Sequence, residues 1–257
     1  MFKLFLCVIF FVFIGQFSKA QSNALPYGHV KKANDTTTLK IQFHNFAGNE
    51  ILRLENATYN NDLGQSFTVS NFKYYIGKIL LINEKDIAVE TKGYYLIKED
   101  EAETKTIELH TIPNGFYKSV SFIIGVDSID NCSGAQSGAL DPVNGMFWAW
   151  NTGYIFLKLE GNAEASKSPG NIFEYHIGGF KSPNNCIRTV NLTYEKPILI
   201  DPQFKNEIHL KADILEILKT PTPLNFSILS SVTDHKNATL VADNYSDMFS
   251  ILNEHKK

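Results

Sequence analysis

Cysteine is the first scarcity. The chain has three, and Cys7 falls in an N-terminal apolar run, so only Cys132 and Cys186 remain for the folded part. Neither sits in a CxxC pair, which leaves no zinc-ribbon or thioredoxin-type motif. In an oxidising compartment two such residues most simply form one disulfide, and a thiolate metal site is the alternative. A GxSxG elbow, an HExxH pair and a P-loop are also missing, and no nucleophile–base pairing stands out, so the chain is not expected to be an enzyme. A basic excess is missing too. The formal net charge is −3, and loss of the first 20 residues, which carry Lys3 and Lys19 and no acid, makes it more negative. An acidic balance of this kind argues against nucleic acid as a partner, because a phosphate backbone asks for a basic surface. Past the N-terminus there is no apolar stretch long enough to span a bilayer, no internal repeat and no low-complexity linker.

What is present begins with "MFKLFLCVIFFVFIGQFSKA". Lys3 precedes an unbroken apolar run that ends in Ser18-Lys19-Ala20, a small-x-small pattern suited to signal peptidase. Cys7 lacks the small residues that precede a lipidated cysteine. Residues 1–20 are therefore expected to be a removed signal peptide, 21–37 an N-terminal extension and 38–257 a single domain, periplasmic or secreted.

The rest is dominated by strand patterning. In "TLKIQFHNF", Leu39, Ile41 and Phe43 alternate with Lys40, Gln42 and His44. Aromatic and β-branched runs recur in "FKYYIGKILLIN", "KGYYLIK", "KSVSFIIGV", "GYIFLKLEG", "IFEYHIGGF", "CIRTVNLTYEK" and "EIHLKADILEIL". Turn-prone stretches such as "YNNDLGQS", "PNG" and "KSPNN" divide them. The pattern predicts an all-β antiparallel β-sandwich with one or two short helices, one inside "NNDLGQSFTVSNFKYY" and one in "ADNYSDMFSILNEH". Residues 126–145 form the longest loop candidate, and Cys132 is a natural tie for it.

Three groups of side chains carry possible chemistry. Asp127, Asp130 and Asp141 share the 126–145 loop, where Asp127, Asp130, Asn131 and Asn144 offer oxygen ligands for calcium, with turn capping as the plain alternative. Of seven histidines, His29, His235 and His255 lie in polar or terminal sequence. His44, His110, His176 and His209 lie in or beside strands, with His44 alternating against Ile41 and Phe43 and His176 against Tyr175 and Ile177. Imidazoles from separate strands with a soft or aromatic third contact suit copper. Finally, Met146, Trp148 and Trp150 share one parity in "NGMFWAWNTGYIFLKLEG", opposite to Ile155, Leu157 and Leu159 if the register holds. That row is either core, a stacking platform for a carbohydrate or protein ligand, or part of a site.

The segments "GVDS…GALDPVNGMFWAWNTGYIFLKLEG" and "FEYHIGGF", supported by "LGQSFTVSNFKYYIGKILLI" and "LVADNYSDMF", resemble the MbnP family of periplasmic copper-binding proteins associated with methanobactin operons. The resemblance runs from about residue 38 onward and is most specific in Met-x-Trp-x-Trp-x-x-Gly-Tyr and Tyr-His-Ile-Gly-Gly. It implies a β domain holding one copper ion through two histidines, His176 and His44 in this chain. It also implies a nearby tryptophan, Trp148 or Trp150, oxidised to kynurenine by a di-haem partner similar to the cytochrome c peroxidase and MauG group. A Cys132–Cys186 disulfide would then fix the tryptophan loop beside the histidine strand.

Overall fold

The computed structural model describes residues 35–148 and 153–252. Residues 1–34, which include the expected signal peptide and most of the N-terminal extension, lie outside them, as does Trp150. In chain order the first half runs β1 (Thr36–Ala47), β2 (Glu50–Ile51), β3 (Tyr59–Asn60), β4 (Ser66–Asn83), β5 (Ala88–Glu90), β6 (Tyr94–Lys98), β7 (Thr106–Pro113), β8 (Gly115–Ile124) and α1 (Ser128–Cys132). The second half runs β9 (Phe147–Trp148), β10 (Gly153–Ala163), β11 (Ile172–Gly178), β12 (Arg188–Ile200), β13 (Glu207–Asp213), α2 (Ile214–Ile217), β14 (Ser231–Val232), α3 (Ala238–Tyr245) and β15 (Phe249–Ile251).

These strands make two sheets packed face to face, the expected sandwich. The smaller is ordered β15-β13-β1-β2 with β7 also on β1, and the larger β12-β8-β4-β10-β11-β14. Most neighbours are antiparallel, but β1 pairs β13 and β11 pairs β14 in parallel. Alternation decides which side of each strand is buried. Leu39, Ile41 and Phe43 of β1 are buried, and Phe43 meets Tyr74, Phe122 and Phe249 edge-on at centroid distances of 6.0–6.2 Å. On the facing sheet Tyr74, Leu157 and Ile177 stand in register across β4, β10 and β11, so they share the inner face.

Both faces of the middle of the larger sheet are covered. Tyr75 and Tyr154 point away from the other sheet yet are fully buried, because residues 126–145 fold back over them. That segment contains α1 and two single helical turns, Gly138–Leu140 and Pro142–Asn144. Tyr75 Oη donates to Ala139 O at 2.8 Å and Tyr154 Oη to Leu140 O at 2.8 Å. Asn131 donates to the carbonyls of Val126 and Asp127 and accepts from Tyr154 N. The loop is tied by tyrosines and an asparagine, not by Cys132.

Two sequence expectations change. "NNDLGQSFTVSNFKYY" holds no helix: Tyr59–Asn60 and Ser66 onward are strands, since Phe67, Val69, Phe72 and Tyr74 all face the core. The C-terminal helix ends at Tyr245, and Phe249–Ile251 turns instead into an edge strand on β13. The sulfurs also form no disulfide. Cys186 is buried, its thiol directed at Asn184 O at 3.6 Å, and Cys132 is exposed at the end of α1. Burial pushes the Cys186 thiol up to about 12, which disfavours the thiolate that a metal ligand requires.

Candidate metal centre

His44 projects from the outer face of β1, one position past core-facing Phe43. On β13, Ile208 and Leu210 are buried and His209 between them points outward in the same way. Parallel pairing sets Gln42 beside His209 and His44 beside Lys211, so the two imidazoles become diagonal neighbours on one face. His44 Nε2 lies 2.9 Å from His209 Nδ1, and the rings stack with centroids 5.2 Å apart at an interplanar angle of 24°. At that distance one ring donates an N–H to the other's lone pair. Behind His209, Glu207 Oε2 lies 3.5 Å from Nε2, and Lys205, at 2.6 Å, holds that carboxyl below its usual range. Both histidines are partly buried.

His176 has a different address. It stands on the outer face of β11, in register with Lys158 of β10, and Lys158 in turn pairs with Lys73 of β4. Its Nε2 is 2.6 Å from Glu160 Oε1, and Glu160 Oε2 accepts from Asn71 Nδ2 at 2.8 Å. The hydrogen bond from His176 is the main reason the Glu160 carboxyl is lowered to about 2. His44 thus lies outside the smaller sheet and His176 outside the larger, with the apolar core between them. The expected His44–His176 pair is not brought together; the parallel β1–β13 pairing gives His44 a different partner, His209.

The tryptophan keeps company with His176 rather than with His44. Trp148 is buried on β9, which pairs with the start of β10 through Gly153 and Tyr154. Its ring fills the place a side chain would take at Gly178: a Cβ there would come within 2.7 Å of the indole and 2.4 Å of Tyr154 O. Gly178 follows His176 by two residues on β11, so Trp148 sits on the His176 face of that strand. His235 meets Trp148 edge-on at 5.8 Å and 84°. Met146 is fully buried and its carbonyl accepts from Ile155 N at 2.9 Å. Trp150 is outside the described residues.

The remaining candidates are occupied by local structure. Asp127 Oδ1 caps α1 through Ile129 N and Asp130 N, while its other oxygen pairs with Lys78 at 2.6 Å. Asp141 caps the turn at Pro142–Asn144 through Val143 N, and Asn144 donates to Gly138 O and Ala139 O. Asp127 and Asp141 therefore act as turn caps, and Asn131 and Asn144 brace the loop carbonyls. His110 contacts Thr38 Oγ1 at 3.1 Å on an exposed edge. Among the described residues no group of three or more His, Cys, Asp or Glu converges as metal ligands, and no helix is long and apolar enough to cross a membrane.

His209 and His235 were the residues sequence reasoning passed over. The parity of "EIHLKAD" marks His209 as outward-facing, but nothing local says that β13 lies beside β1. His235 sits in polar sequence with no periodic signal at all.

Fold and site together define a two-sheet β-sandwich with paired imidazoles on an outer strand face and a buried tryptophan on the opposite sheet. A family model described as MbnP matches residues 36–237, and the chain belongs to that family. Membership supports a copper-related periplasmic role at the level of the family. Among solved structures, MbnP from Methylosinus trichosporium is similar, with a TM-score of 0.50 and 13% identity over 76% of this chain and 80% of that one. At that identity the likeness shows the fold alone. No curated protein matches the sequence.

Proposed function

We propose that this protein is an exported copper-binding protein, not an enzyme, and that His44 and His209 hold the metal. The observation that carries the proposal is the 2.9 Å approach of His44 Nε2 to His209 Nδ1 across β1 and β13. Replacing the proton they share would leave two imidazole lone pairs directed into one space, a donor set that copper accepts in either oxidation state. Glu207 behind His209 stands where a carboxylate orients a ligating imidazole. Copper requires both rings neutral, with the proton between them moved to the donor ring's other nitrogen, so binding weakens as pH falls through the imidazole range. One copper per chain follows from one such pair among the described residues.

Equilibrium dialysis with copper tests this. His44→Ala and His209→Ala should each lower affinity by about 10-fold or more, by analogy with losing one of few ligands, while His176→Ala should leave it unchanged. Loss in His176→Ala alone would overturn the assignment.

The tryptophan chemistry is a separate part of the proposal. Trp148 or Trp150 is converted to kynurenine by a di-haem partner of the cytochrome c peroxidase and MauG type, reached by electron transfer across the outer side of the larger sheet, with peroxide as the oxidant reduced at the haem and the indole C2 carbon leaving as formate. Support comes from family membership and from the placement of Trp148 against His235. Mass spectrometry of the peptide spanning both tryptophans, taken from the native host, should show one carbon replaced by oxygen. A wholly unmodified peptide would contradict it.

A further inference from the structure

We propose that the cavity beside Trp148 binds a small aromatic carboxylate, an activity independent of the copper pair. The cavity measures about 300 Å³, the lower end of the range for small-molecule sites. Trp148, Tyr154 and Phe180 give it aromatic walls, and Asn131, Ser182, Asn184, Lys181 and His235 supply its polar groups. Among the described residues no aspartate or glutamate lines it. The backbone makes the room: Gly179 adopts φ +126°, and a Cβ there would come within 2.3 Å of Asn184 O and 3.3 Å of His235 Nδ1. Any larger residue would close the space between the indole and the 179–184 loop.

The charge on the lining chooses the ligand. Lys181 lies over the Phe180 ring at 5.0 Å and, among the described residues, has no carboxylate within ion-pair reach. A cation held at an aromatic mouth favours an anion, and the flat indole favours a planar group stacked against it. A metal ion finds little here, because among the described residues the lining offers one imidazole and no carboxylate or thiolate. A ring bearing a carboxylate satisfies both halves of the site, and the volume excludes anything much larger than one or two rings.

Isothermal titration calorimetry of the full protein with benzoate, benzamide and acetate tests the proposal, with tryptophan fluorescence as a second readout. Trp148 and Trp150 are the only tryptophans, so occupancy beside the indole changes the emission. Benzoate should bind saturably at one site, and benzamide and acetate should bind at least about 10-fold more weakly, each lacking one of the two recognised parts. Lys181→Ala, an exposed change that leaves the fold alone, should weaken benzoate by a similar factor. Absence of saturable benzoate binding, equal binding of benzamide, or unchanged binding in Lys181→Ala would each overturn it.

Discussion

A side chain on the outer face of a strand chooses between water and its diagonal neighbour, and His44 and His209 choose each other. His176 chooses a carboxylate. That difference has a measurable consequence in acid. The Glu160 carboxyl falls from its ordinary 4.5 to about 2, chiefly through the hydrogen bond from His176. A carboxyl depressed on folding contributes stability that is complete above its unfolded value and is lost as pH drops through the folded one. Glu160→Gln should therefore lower the urea midpoint most above pH 4.5, and the gap to wild type should close as pH approaches 2. A constant gap would mean the ion pair contributes nothing specific. The two thiols make a second residue-scale test. Native protein treated with iodoacetamide should be labelled at exposed Cys132 and not at buried Cys186, whose thiol stays protonated; quantitative disulfide would contradict the structure.

Elements carry the positioning. Strand β4 bulges at Ser70, opposite Glu160 and Gly161 of β10, and Gly161 is pressed against the neighbouring strand there. A Cβ at Gly161 would lie 1.9 Å from Thr68 O, a contact that only backbone movement relieves. Gly161→Ala should cost about 1–3 kcal/mol or more, read from urea unfolding, and should disturb the adjacent Glu160–His176 pair; a neutral effect would show that the bulge is soft. Much of this level was legible beforehand. Alternation alone placed His44 and His176 outward and Ile155, Leu157 and Leu159 inward. Pairing was not legible, because β1 and β13 meet across 165 residues and a parallel ladder leaves no turn signature between its strands. The misplaced helix near residue 60 has a related cause: the buried positions Phe67, Val69, Phe72 and Tyr74 of β4 skip a step at the bulge around Ser70, and the resulting three-residue spacing breaks the period-two pattern that marks a strand. Met146 and Trp148 were harder still, since β9 and β10 form a hairpin and not one continuous strand.

For the whole molecule, the sandwich separates two chemistries. Its smaller sheet presents the imidazole pair and its larger sheet presents His176, Trp148 and the cavity, with the core of Phe43, Tyr74 and Phe122 in between. The family match spans strands of both sheets, so the separation belongs to the family domain and not to an appendage. The proposed copper pair and the tryptophan lie on opposite sides of one core, so under that proposal the copper face and the partner face are separate. The sharpest check is anomalous scattering at the copper edge from crystals of the copper-loaded protein. The account predicts a single strong peak between His44 and His209, and a peak at His176 and Trp148 with none at the imidazole pair would contradict it.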